Sequence, residues 1–88
     1  MKLGFEGNGW EEYLALRDSD PKAHKKLDAL IKECLRHPFF GTGKPEALKE
    51  NLKGYWSRRI TQEHRLVYRV IGGGDDQTLI IAQCRYHY

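Results

Sequence analysis

Arg59, Arg65, Arg85 and His87 are the residues whose types and spacing suggest chemistry, and that chemistry involves an anion. Side chains in a strand alternate between its two faces. In segment 65–71, Leu66, Tyr68 and Val70 fall on one side and Arg65, Val67 and Arg69 on the other. In 78–88, Ile80, Ala82, Cys84 and Tyr86 oppose Arg85 and His87. In 55–61, Trp56, Arg58 and Ile60 oppose Tyr55, Ser57 and Arg59. If the apolar sets cover a core, Arg59, Arg65, Arg85 and His87 converge on the open face. Such a cluster is costly unless an anion shares the site.

Glu46, between Lys44 and Lys49, is the acid best placed to act beside that charge. The dipole would favour a carboxylate at a helix start even without a function. Tyr55, Trp56, Tyr86 and Tyr88 interleave with Arg58, Arg59 and Arg85, the mixture that stacks bases and pairs phosphates. Core packing uses aromatics too, and Trp56 and Tyr86 are expected there. His24, in a lysine-rich segment, reads as a surface residue, His37 as a helix-end group and His64 as a turn residue.

Two suggestive patterns fail on inspection. Gly41-Thr42-Gly43-Lys44-Pro45 lacks the first glycine of a phosphate-binding loop, where Pro38 stands, and the hydroxyl after the lysine, where Pro45 stands. Cys34…His37 and Cys84…His87 together look like a zinc set, but an offset of three on a strand sends two side chains to opposite faces. No metal and no cofactor is expected.

These residues need elements to position them. Lys2–Phe5 reads as a first strand weakened by Gly4. Trp10, Tyr13, Leu14 and Arg17 fall at helical spacing, with Glu11 and Glu12 at the positive end of the dipole. Asp20 or Ser19 caps a second helix with Pro21 in its first turn. Ala23, Leu27, Leu30, Ile31, Cys34 and Leu35 form its apolar stripe, and His37-Pro38 ends it. A short helix is expected over 45–52, then strands over 55–61, 65–71 and 78–88. The order β-α-α-(α)-β-β-β predicts an α+β fold, an antiparallel sheet with the helices packed on one face.

The charge is uneven along the chain. Residues 1–43 hold seven basic and seven acidic side chains. Residues 44–70 hold seven basic against three acidic, and residues 71–88 one against two. The excess lies in the stretch that carries the candidate site, which suggests a polyanion such as nucleic acid. No recognition-helix pattern suggests DNA. The 88 residues read as a single domain, 1–88, able to bury one small core. No apolar run suits a membrane span, the early acidic residues exclude a signal peptide, and two cysteines suggest reduced cytoplasmic thiols.

Lys44-Pro45-Glu46-Ala47-Leu48-Lys49, Gly54-Tyr55-Trp56-Ser57-Arg58-Arg59-Ile60, Glu63-His64-Arg65-Leu66-Val67-Tyr68 and Cys84-Arg85-Tyr86-His87-Tyr88 carry a specific resemblance. In this order, and from Trp10 to Tyr88, the chain resembles the YoeB (Txe) family of the RelE toxin superfamily, the toxins of bacterial type II toxin–antitoxin pairs. The resemblance implies a RelE-like, microbial-RNase-like fold and a cytoplasmic, metal-independent endoribonuclease that cuts mRNA in the ribosomal A site. It implies Glu46 as general base, Arg65 as stabiliser of transition-state charge, His87 as general acid and Tyr88 as a terminal contact to the RNA. Lys49 and Arg59 match phosphate-binding positions, and Lys44, Arg58 and Arg85 extend that basic surface. The implied partners are the 70S ribosome with its mRNA and rRNA, and a YefM/Phd-like antitoxin with an acidic, disordered tail; a homodimer is left open. The alternative is a ribosome- or RNA-binding inhibitor of translation without catalysis, which would need neither Glu46 nor His87. Gly4, Gly7 and Gly9 depart from the family's usual apolar strand and polar helix cap.

Overall fold

The computed structural model describes residues 1–86; His87 and Tyr88 lie outside the described residues. The elements are β1 (Lys2–Phe5), α1 (Gly9–Ser19), α2 (Pro21–Cys34), β2 (Glu46–Ala47), β3 (Trp56–Arg59), β4 (Arg65–Ile71) and β5 (Thr78–Gln83). The strands form one five-stranded sheet in the order β1-β5-β4-β3-β2. All neighbours are antiparallel except β1, which lies parallel to β5 with Lys2 opposite Thr78 and Phe5 opposite Ile81. Gly4 does not prevent this strand from forming.

The helices begin where their chemistry directs. Asp20 accepts a hydrogen bond from the Ala23 amide at 3.1 Å, and Pro21 opens α2. The apolar stripe of α2 is buried from Ala23 to Cys34 and meets Leu16 of α1. Leu66, Tyr68, Leu79 and Ile81 supply the sheet side of this core. At Gly9 α1 comes close to β5: a Cβ there would lie 2.4 Å from the Ile81 carbonyl oxygen.

Five expectations change. The helix expected over 45–52 is instead the short edge strand β2 and a single 3-10 turn at Glu50–Leu52. Its backbone pairs outward: the Leu48 amide donates to Tyr55 O at 2.9 Å. In β5 it is Leu79 and Ile81 that face the core, opposite Val70 and Tyr68, whereas Ile80 stands opposite Arg69. A bulge then leaves Ala82 without a partner, and Gln83 pairs with Val67. The extra residue restores Cys84 to the core, where it is fully buried. The strand expected to run to residue 88 ends at Gln83, and Tyr86 is 53% exposed rather than in the core. His24 is buried against Tyr13, with ring centres 4.4 Å apart, because it lies one position from Ala23 on the inward side of α2.

Candidate active site

β2 positions Glu46. Direct partners in an antiparallel pair share a face. Glu46 stands opposite Ser57, Ser57 opposite Val67, and Val67 opposite Gln83. These four make one row across the face of the sheet away from the helices. Two residues along β3 and β4, and so on the same face, Arg59 stands opposite Arg65. Their amides point away from each other, Arg59 N–H to Gly43 O at 2.7 Å and Arg65 N–H to Tyr86 O at 3.1 Å. This is the pair type in which side chains stand closest. Glu46 and Arg59 are exposed and Arg65 half-buried. Among the described residues, no carboxylate forms an ion pair with either arginine.

Arg69 shares this face but is neutralised. Its Nε and Nη2 donate to Glu6 Oε1 at 2.9 and 2.6 Å, and the Tyr55 hydroxyl donates to Glu6 Oε2. The Tyr55 bond, with help from Arg69 and against the cost of burial, holds the Glu6 carboxyl below its ordinary value. Of the three arginines that β3 and β4 place on this face, Arg59 and Arg65 are the two without an ion pair among the described residues.

Arg58 is a correction to the expected phosphate-binding set. It is fully buried on the helix side of β3. Nη1 donates to Glu33 Oε2 at 2.6 Å and to Thr42 O at 3.0 Å. Nη2 donates to Phe40 O at 2.9 Å and to His37 O, and Nε to the Tyr68 hydroxyl at 3.3 Å. A guanidinium has five N–H donors in a fixed fork, and here they tie the 37–42 loop to α2 and the sheet. The Arg58 side chain itself has no exposure to solvent.

Lys44 and Lys49 are exposed at either end of the β2 segment, Lys44 with φ +54°. Beyond Lys49, a groove of about 480 Å³ is lined by Leu48, Lys49, Glu50, Asn51, Leu52 and Gln83. Arg85 is half-buried and turned onto its neighbour: Nη2 donates to the Tyr86 hydroxyl at 2.7 Å, and its Cζ lies 4.8 Å from the Tyr86 ring centre.

After β5 the chain is held by side chains. Glu12 Oε1 accepts the amides of Cys84, at 2.9 Å, and Arg85, at 3.2 Å. His64 Nδ1 accepts the Tyr86 amide at 2.8 Å. By residue type and spacing Glu12 reads only as a helix-dipole carboxylate and His64 only as a turn residue. Nothing in a single sequence signals a contact between residues so far apart. Cys34 and Cys84 are both fully buried, and among the described residues no three His, Cys, Asp or Glu side chains gather as metal ligands. The expected acid His87 and RNA contact Tyr88 lie outside the described residues.

This sheet, with both helices on one face, is the fold of the RelE-like toxins. YafQ from E. coli superposes with a TM-score of 0.77 over 98% of this chain and 92% of its own, at 18% identity, a likeness of fold alone. Closer matches identify the family. The model of the YoeB-like toxin of bacterial type II toxin-antitoxin system matches residues 5–88. Toxin YoeB of Escherichia coli K12 is 53% identical over the whole of both chains. A YoeB/ParE toxin from Agrobacterium tumefaciens has a TM-score of 0.94 at 49% identity, covering all of both chains. The heterotetrameric YoeB-YefM toxin-antitoxin complex from Staphylococcus aureus matches with a TM-score of 0.83 at 45% identity, over 100% of this chain and 98% of that one. The chain belongs to the YoeB-like toxins of bacterial type II toxin-antitoxin systems.

Proposed function

We propose that this toxin is an endoribonuclease that cuts mRNA on the ribosome without a metal, and that it stops translation by doing so. The observation that supports this reading best is the shared face of Glu46, Arg59 and Arg65. A carboxylate on the same face as two directly opposed arginines, neither of them ion-paired among the described residues, suits a phosphodiester whose reaction moves a proton and gains negative charge.

RNA carries its own nucleophile. Glu46 takes the proton of a 2′-OH as its oxygen bonds to the adjacent phosphorus. Arg65, seconded by Arg59, stabilises the added charge on the phosphorane. The bond from phosphorus to the 5′-oxygen then breaks, and His87 protonates the leaving oxygen. The products are a 2′,3′-cyclic phosphate and a 5′-hydroxyl. Tyr88 contacts the RNA, while Lys44, Lys49 and Arg85 hold the backbones of mRNA and rRNA. The ribosome presents the substrate, because an open sheet face offers little to orient a flexible RNA alone.

The partner that restrains the toxin is a YefM-like antitoxin, as in the S. aureus complex. Its acidic, disordered tail folds over the Arg59–Arg65–Arg85 surface. Such a toxin works in the cytoplasm, where its substrate is.

The test is cleavage of message in translating ribosomes by the wild type and by Glu46→Gln and His87→Gln. Loss of cutting in both variants, with ribosome binding retained, is expected. Equal inhibition of translation by variants and wild type would overturn catalysis in favour of simple binding.

A further inference from the structure

The three amides that lead into residue 87 are accepted almost wholly by side chains from distant elements. Cys84 N–H and Arg85 N–H converge on one oxygen of Glu12, at 2.9 and 3.2 Å, and Glu12 sits in the first turns of α1. Tyr86 N–H ends on His64 Nδ1 at 2.8 Å, and Tyr86 O accepts from Arg65 N–H at 3.1 Å. His64 is itself immobilised. It is 6% exposed, its carbonyl accepts the Ile60 amide at 3.0 Å, and its own amide donates to Thr61 Oγ1 at 3.0 Å. With Nδ1 accepting, the ring proton of neutral His64 belongs on Nε2, which lies 3.2 Å from Glu63 Oε1. The backbone of Tyr86 is unusual too. Its φ is +58°, a left-handed conformation that a residue with a bulky side chain adopts only when its surroundings hold it there.

We propose that Glu12 and His64 are positioning residues: together they clamp Cys84–Tyr86 and so fix where the chain enters His87. The proposal rests on the reading of His87 as the general acid. Neither residue touches RNA in this account. A continuing strand would have located this segment by ladder bonds, but β5 ends at Gln83, so side chains do the work instead. Arg65 joins the two ends of the mechanism. Its side chain lies on the arginine face while its amide holds Tyr86, so the base side of the site and the approach to the acid share one residue of β4.

The experiment compares the wild type, His64→Leu, His64→Asn, Glu12→Ala, Glu12→Gln and His87→Gln as folded, full-length toxins. Single-turnover cutting of ribosome-bound message, ribosome affinity, thermal midpoint and exchange of the Tyr86 amide are measured on each. Asn offers an oxygen near the position of Nδ1, and Gln keeps the oxygen of Glu12 that accepts both amides. His64→Leu is expected to lower the cutting rate about a hundredfold, the scale of a misplacement of about 1 Å. Its ribosome affinity should change less than about threefold, and its Tyr86 amide should lose protection. His64→Asn and Glu12→Gln should recover most of the rate that Leu and Ala lose. Cutting that needs His87 but proceeds equally in folded His64→Leu and Glu12→Ala overturns the clamp. Equal losses in His64→Asn and His64→Leu also overturn it, as does a Tyr86 amide in the wild type that exchanges as if free. A His87→Gln toxin that cuts like the wild type instead overturns the assignment of the acid, and the positioning role with it. If His64→Leu fails to fold, the Glu12 pair and the Tyr86 amide decide the question.

Discussion

Arg59 and Arg65 stand directly opposite each other across β3 and β4. Their amides turn outward, so this is a non-hydrogen-bonded pair, with Cα atoms typically about 4.5 Å apart. Like charges so placed destabilise a sheet. Under the proposed function the tension has a use, because a phosphate held between them would relieve it.

Substitution should therefore separate stability from activity. Arg59→Gln is expected to raise stability in the absence of RNA by about 0.2–1 kcal/mol, the usual scale of a cross-strand pair. Arg65→Ala should lower single-turnover cutting about 10²–10³-fold with little change in ribosome affinity. Denaturant midpoints and cleavage rates check both. A destabilised Arg59→Gln, or an Arg65→Ala that only binds more weakly, contradicts this account.

Arg58 should behave in the opposite way. Removing it strands the carbonyls of His37, Phe40 and Thr42 and the Glu33 carboxylate. Arg58→Met is expected to cost about 3 kcal/mol or more, measured by denaturant unfolding. The salt dependence of ribosome binding by the folded variant should keep the wild-type slope, because a buried guanidinium releases no counterions from RNA. A shallower slope would restore Arg58 to the phosphate-binding set.

Acid should loosen the molecule through two carboxylates. Glu33 is held below its ordinary value of 4.5, first by the Thr42 amide, then by the Thr42 hydroxyl and Arg58. Glu6 is held below 4.5 chiefly by Tyr55. A depressed carboxyl contributes its stability in full above the unfolded value, and that contribution is lost as pH falls through the folded one. Stability should thus decline on acidification below about 4.5, and decline less steeply in Glu33→Gln and Glu6→Gln. Urea midpoints across pH 2–6 test the sign; wild-type steepness in both variants would refute it.

The thiols should be inert in the folded protein. Burial pushes the Cys84 thiol up to about 12 and raises Cys34 as well, so both stay neutral at mildly alkaline pH and lack the reactive thiolate. Iodoacetamide at pH 8 should label neither residue until denaturant is added. Rapid labelling of native Cys84 would show that the segment after β5 opens readily.

What could be read from residue types was local. The Asp20-Pro21 start of α2 and its apolar stripe follow from chemistry within a few turns, and both are observed. The arginines of β3 and β4 follow from period two, which holds while the strands stay regular. Period two misleads once the bulge inserts Ala82, because one residue exchanges the faces of everything before it. Pro45–Leu52 has helical residue types, yet the free edge of β3 takes Glu46 and Ala47 as a strand: tertiary pairing overrides local preference. Period two puts Arg58 on the inward side, but its residue type groups it with the exposed cations, because a sequence does not display the cage of carbonyls that receives it. Glu12 and His64 meet the end of the chain through contacts that only the closed fold creates.

The parallel pairing of β1 with β5 sets the order in which the toxin is completed. Lys2–Phe5 is made well before its partner, Thr78–Ile81. β5 is also an interior strand, between β1 and β4, so the sheet stays open through its middle until then. Long-range closure of this kind is slow and comes late in folding. Until Thr78–Gln83 is made, the paired arginines therefore stand on an unfinished sheet.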